Sequence, residues 1–253
     1  MSSRASGRQQ HWDEVYSTRL ADQVSWYQAN PELSVELVTA AAVGNGGKSA
    51  PIVDAGGGTS QLAHLLADAG YTDVTVADVS AAALATARDR PGGDRITWVQ
   101  ADLLEWRPQR AYQIWHDRAV FHFLASPGDR AAYLATLRAA LPGGGTVILA
   151  TFAPDGPEYC SGLPVTRYAP TDLTAELTKA YGDAVSITGQ RSQEHRTPGG
   201  SIQPFTWITA ELSRFVLPAQ GHLARRAAVR VEPGDGYRDA QPVPPRQSGD
   251  VVR

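Results

Sequence analysis

The sequence predicts an α/β domain in which a parallel sheet is covered by helices on both faces. Between residues 51 and 152, short apolar runs alternate with helical stretches across short turns. The first three of those runs end on carboxylates, Asp54, Asp78 and Asp102, and the first passes straight into a triple-glycine turn. The 253 residues suffice for one large domain with a substantial core.

The elements follow in order. Residues 1–10 are rich in Ser, Arg and Gln and read as a disordered end. From His11 the apolar positions recur at helical spacing: Trp12, Val15 and Tyr16 form one stripe. Leu33, Val35, Leu37 and Val38 belong to a second helix after Pro31, with Ser25-Trp26-Tyr27-Gln28 between the two. Strands are expected at Pro51–Ala55, Asp73–Ala77, Ile96–Gln100, Tyr112–Trp115 and Thr146–Phe152. Helices are expected at Ser60–Asp68, at Ser80–Arg88 with Ser80 as N-cap, and at Pro127–Leu141, which stops at Pro142-Gly143-Gly144-Gly145. Asp155–Tyr168, rich in Pro and Gly, reads as a loop; Pro170–Tyr181 reads as a helix, and Ala184–Gly189 and Pro204–Ala210 as two last strands. Residues 218–253 lack apolar periodicity and read as a disordered tail, leaving 11–217 as the folded domain.

Composition narrows the function. A net charge of −3 argues against nucleic acid as the main partner, because phosphate neutralisation carries most of that affinity. The single cysteine, Cys160, permits no internal disulfide, the polar start has no signal-like apolar core, and no apolar run approaches a membrane span. A cytoplasmic location is expected. Cys160, His116, His122 and His195 match no zinc spacing, so no metal is expected.

The residues Ile52 to Ser60, IVDAGGGTS, form a strand that ends on a carboxylate and turns through three glycines into a helix. Glycine permits positive φ there and close approach of a ligand. A dinucleotide fingerprint would need glycine where Gln61 stands, and Asp54 just before the turn would repel a pyrophosphate. No Tyr-x-x-x-Lys pair supports a nicotinamide reductase, since Lys48 and Lys179 are the only lysines. A ligand carrying ammonium and sulfonium groups would instead be attracted, and S-adenosylmethionine has both. Asp78, 24 residues after Asp54, stands where an acid can accept from both ribose hydroxyls, and Asp102 where one can accept from an adenine amine.

VDAGGGTS, VTVADVS and VQADLLEW, followed by HDRAVFHFL and LPGGGTVILATF, resemble the successive motifs of the class I S-adenosylmethionine-dependent methyltransferases. That resemblance spans about residues 10–210 and implies a Rossmann-like, seven-stranded, mostly parallel sheet. HWDEVY and VSWYQ resemble the N-terminal cap, here residues 11–45, of a group that includes the elongation-factor lysine methyltransferases. There the cap closes over the cofactor, which implies that Trp26 and Tyr27 touch it. The resemblance further implies that Asp54 and Gly56, with Ala55, Gly57, Gly58 and Ser60 around them, hold the methionine end. Asp78 with Val79 would hold the ribose, Asp102 with Leu103 the adenine, and His116 would line the methyl-transfer face.

Methyl transfer from a sulfonium is an in-line displacement in which an enzyme aligns the acceptor and, where needed, removes its proton. Candidate bases are His116 and Asp117, expected just after the fourth strand, His122 about a helical turn further on, and His195 in a polar loop before the last strand. The segment 151–164, carrying Cys160, is an expected acceptor lid. The Asn-Pro-Pro-Tyr type of motif that base-amine methyltransferases carry after the fourth strand is absent, and HDRA stands there. With the acidic balance, that argues against nucleic-acid methylation; the lid and the lack of a docking domain make a small-molecule acceptor the first expectation, with protein lysine and a non-catalytic S-adenosylmethionine-binding module as the alternatives.

Overall fold

The computed structural model describes residues 3–214. Five parallel strands form the first part of the sheet: β1 (Ile52–Ala55), β2 (Val74–Asp78), β3 (Thr97–Gln100), β4 (Ile114–Arg118) and β5 (Gly145–Phe152). A long antiparallel hairpin, β6 (Val185–Arg196) and β7 (Ile202–Leu212), completes it. The order is β3-β2-β1-β4-β5-β7-β6, with β7 antiparallel to β5. The seven-stranded, mostly parallel sheet expected from the sequence is therefore present.

Side chains alternate across the sheet, and each face buries its own core. Val53, Trp115, Val147 and Leu149 pack with Tyr133 and Leu137 of α5 (Pro127–Ala140) and Leu173 and Leu177 of α6 (Pro170–Tyr181). Their neighbours Ile52, Ile114, Ile148 and Ala150 face the other way. They meet Val38 of α2 (Glu32–Gly44), Leu62 and Leu66 of α3 (Leu62–Asp68) and Leu84 of α4 (Ala81–Arg88). The same alternation puts Asp54, His116 and Arg118 on the α2 face. The helix starts are set locally: Ser80 Oγ accepts from Ala83 N and Ser126 Oγ from Asp129 N, with Pro127 leading α5.

Four expectations need correction. The first helix, α1, runs Ser3–Thr18, so residues expected to be disordered are helical. Tertiary contacts hold them: Ala5 is buried, and Arg8 forms a two-pronged ion pair with Asp102. Second, β4 extends to Arg118, which places His116 and Asp117 within the strand instead of after it. Third, β6 reaches Arg196, so His195 belongs to a strand and not to a loop. Its sequence is polar because β6 is an edge strand, paired on one side only. Fourth, the expected loop 155–168 contains a two-stranded ribbon, Tyr159–Cys160 with Leu163–Pro164, turned through Ser161 and Gly162 at positive φ. The tail at 218–253 lies outside the described residues. Among the described residues, no helix is long and apolar enough to cross a membrane.

Candidate functional site

The carboxyl ends of β1, β2 and β4 open onto two adjoining cavities, as expected at the crossover point of a doubly wound sheet. The larger, of about 810 Å³, is lined by Asp78, Val79, Asp102 and Leu103 on one side and by Trp12, Phe123 and Cys160 on the other. The second is lined by Asp54, Gly57, Ser60, His116, Tyr27 and Ser34. Trp26, Gly56 and Arg118 line both and mark the junction between them.

The floor of the junction depends on glycine. Gly56 sits at φ 71°, and a Cβ there would collide with Val120 Cγ2. Gly58, at φ 52°, would meet the Tyr16 hydroxyl in the same way; it lines neither cavity and serves the packing of α1 against the turn. Ala55 is likewise in the core beneath the turn.

Asp54 is held by its neighbour across the sheet. It pairs in register with His116, whose Nδ1–H donates to Asp54 Oδ1 at 2.8 Å. The Nε2 of the same ring shares a hydrogen bond with the Ser34 hydroxyl of α2 at 3.0 Å. Both ring nitrogens are thus engaged, which holds the ring against the carboxylate where it lines the second cavity. Asp54 Oδ2 is buried with no partner. A Cβ at Gly57 would lie 2.5 Å from that oxygen, so the cradle is kept open beside it. An unpartnered buried carboxylate oxygen facing a polar cavity suits an ammonium group.

Asp78 Oδ1 accepts from Ser80 N at 2.8 Å, and burial pushes its carboxyl up to about 6. Asp102 accepts from Leu104 N at 3.0 Å through Oδ1 and from Arg8 Nε and Nη2, at 2.8 and 2.6 Å, through Oδ2. The roof is aromatic. Trp12 stacks edge-on with Trp26 and Phe123 at 5.8 and 5.1 Å, and Tyr16 with Trp26 at 6.0 Å.

The remaining base candidates point elsewhere. Asp117 is fully buried on the opposite face and accepts from Val120 N, Phe121 N and the Tyr133 hydroxyl, which fixes the turn after β4. His122 lies in a 3₁₀ turn, sandwiched at 4.5 Å between Phe123 and Phe152, and its Nδ1 accepts from Phe152 N. Burial pushes it down to about 3, with Arg118 adding to the shift. His195 bonds the Ser25 carbonyl at 2.8 Å, joining β6 to the segment before α2. None of the three lines either cavity. Among the described residues, no three His, Cys, Asp or Glu side chains gather as a metal site would need.

Sequence reasoning missed Arg8, whose polar surroundings show no periodicity, and the role of Ser34, which sits on an otherwise apolar helix. It also missed Arg118. A basic residue closing an otherwise buried parallel strand was the available signal for that one.

Residues 52–145 match the family model described as a methyltransferase domain. No curated protein matches the sequence significantly. Among solved structures, the chain is similar to an S-adenosylmethionine-dependent methyltransferase from Anabaena variabilis, at 18% identity over 84% of this chain and 96% of that one, with a TM-score of 0.63. It is also similar to the 1,6-didemethyltoxoflavin-N1-methyltransferase of Burkholderia thailandensis, solved with 1,6-didemethyltoxoflavin and S-adenosylhomocysteine bound (19% identity, 84% and 91% coverage, TM-score 0.60). A third is the magnesium protoporphyrin IX methyltransferase of Synechocystis with bound S-adenosylmethionine (18%, 84% and 99%, TM-score 0.59). At such identities the likeness is one of fold. The methyltransferase-domain match covers β1 to β4 and the acids at the ends of the first three strands. Residues 52–145 thus carry a methyltransferase domain, set in a sheet with the fold of S-adenosylmethionine-dependent methyltransferases.

Proposed function

We propose that this chain transfers a methyl group from S-adenosylmethionine to a small-molecule acceptor bound in the larger cavity. The observation that carries this reading is the enclosure of that cavity. α1, the Trp26 segment, the Phe121–Phe123 turn and the Cys160 ribbon wall it in with apolar side chains, which suits a small ligand buried on most sides. Two of the similar proteins are named for small acceptors, a toxoflavin precursor and a metalloporphyrin.

The residues present fit the cofactor. Asp54 Oδ2, lacking a protein partner, would take its ammonium. Asp78 Oδ2 would take ribose hydroxyls, and Asp102 with Leu103 the adenine edge; Trp26 and Tyr27 would cover the methionine end. When bound, the cofactor supplies a methyl made electrophilic by its sulfonium. The chain contributes orientation and exclusion of water: the aromatic roof closes the junction, and the Asp54–His116–Ser34 chain fixes the first carboxylate.

The test is to incubate the protein with methyl-labelled cofactor and a cell extract divided into small molecules and macromolecules. Label in the small-molecule fraction is expected. Label confined to protein would replace this reading with a lysine-directed one.

A further inference from the structure

Arg118 is an unusual group to find at the junction. Its Nη1 donates to the Trp26 carbonyl at 3.0 Å, and its guanidinium lies over the Phe205 ring at 4.5 Å. Its other two nitrogens, Nε and Nη2, are closed to bulk solvent and have no partner. These two share one edge of the guanidinium, the fork that grips a carboxylate through parallel hydrogen bonds. Among the described residues no carboxylate pairs directly with it, although Asp54 acts on it through space, and Arg118 lines both cavities where they meet.

We propose that Arg118 is the acceptor-binding residue and that the acceptor is a small anion, a carboxylate or similarly acidic group, methylated in its ionised form. The inference rests on the small-molecule reading above and narrows it. Two further observations support it. First, apart from Asp78 and Asp102, which the cofactor would engage, the described lining of the larger cavity holds no carboxylate or imidazole to act as a base. Cys160 remains a thiol, since burial pushes it up to about 11. An acceptor that must lose a proton finds nothing to take it, whereas an anion needs no base. Second, charge must balance at the junction. Asp54 is the carboxylate that acts on Arg118, and the cofactor's ammonium would engage it, so an anionic acceptor group offsets the guanidinium beside the sulfonium. A protonated amine would add a third positive charge.

The step balances without a proton. The acceptor anion gives its electron pair to the methyl carbon, and the carbon–sulfur bond breaks with its pair left on sulfur. A sulfonium and an anionic group become a thioether and a neutral methylated group. Methylation of an ammonium acceptor, by contrast, releases one proton per turnover.

The experiment divides the small-molecule extract by ion exchange into anionic, cationic and neutral pools and offers each to the full-length protein with labelled cofactor. Binding of S-adenosylhomocysteine is measured in parallel by calorimetry for wild type, Arg118→Met and Arg118→Lys. The anionic pool is expected to take the label without acidifying a weakly buffered reaction. Arg118→Met should lose transfer by about 30-fold or more, with S-adenosylhomocysteine affinity nearly unchanged; Arg118→Lys, which keeps the charge without the fork, should fall between. Label in the cationic or neutral pool overturns the proposal and leaves the small-molecule reading standing. So does a loss of S-adenosylhomocysteine affinity that matches the loss of transfer, which would assign the fork to the methionine carboxylate. Label in no pool, with S-adenosylhomocysteine still bound, overturns the small-molecule reading itself.

Discussion

Asp78 and His116 show how single side chains tune the crevice. Because burial raises Asp78 to about 6, its carboxylate loses its ability to accept from ribose hydroxyls just below neutrality. Cofactor affinity should therefore weaken as pH falls through about 6, approaching tenfold per pH unit, and the Asp78→Asn variant should bind weakly with a flat profile. Unfolding linked to this group cannot mimic that trend. A carboxyl whose folded value exceeds its unfolded value of 3.8 adds stability as pH falls between about 6 and 4, and Asp117, also raised to about 6 chiefly by burial, does the same. Calorimetric titration of S-adenosylmethionine at several pH values checks the prediction; a wild-type profile as flat as that of the Asp78→Asn variant would refute it. His116 acts through Asp54. Removing its ring in His116→Ala leaves Asp54 Oδ1 without its 2.8 Å partner, so cofactor affinity should drop by roughly tenfold, about 1.4 kcal/mol. If His116 were instead a base, kcat would fall while cofactor affinity stayed unchanged.

At the scale of elements, α1 is tied to the sheet by two polar clasps. Arg8 reaches Asp102, and Asp13 Oδ1 accepts from Ser80 Oγ at 2.6 Å and Ala82 N at 3.2 Å, at the start of α4. Asp13 thus caps a helix that is not its own. Asp13→Ala should cost about 1 kcal/mol and speed tryptic cleavage at Arg8 and Arg19, read by limited proteolysis against wild type. Equal cleavage rates would show that the apolar roof and the Arg8–Asp102 pair hold α1 without the Asp13 clasp. This helix also shows where sequence reading succeeds and where it stops. β1, β2 and β5 are legible because central parallel strands are apolar throughout, and their acid tips are legible because a carboxylate closing such a strand is chemically out of place. The first turns of α1 and the last half of β6 are not. Arg8 is held by Asp102, far away in sequence, and the polar residues of β6 by backbone pairing with β7, and neither leaves an apolar periodic trace. The misplacement of His116 and Asp117 had the same origin. β4 carries polar residues because Asp54 and the turn at Val120 and Phe121 need them, so the apolar pattern stops before the strand does.

For the molecule as a whole, the site couples ligand binding to stability, because Asp54 and Asp78 of two strands and Asp102 just after a third hold this geometry only in the folded sheet. A ligand that binds the native state alone stabilises it by mass action, about 2.7 kcal/mol at a hundredfold excess over Kd. For a domain of this size, that corresponds to a rise in Tm of about 5–10 °C. S-adenosylmethionine and S-adenosylhomocysteine should both produce it. The former should gain more from the acid-lined crevice, since the sulfonium charge is lost with the methyl group. NAD should produce none: Asp54 Oδ2, buried and unpartnered at the head of the glycine turn, repels a pyrophosphate, and Gln61 stands where a dinucleotide turn needs a third glycine. A thermal-shift comparison of the three ligands at matched concentrations decides the matter. A rise with NAD and none with the adenosyl ligands would mean that the three strand-end acids do not form a cation site, and the class assignment, the small-molecule reading and the role of Arg118 would fall together.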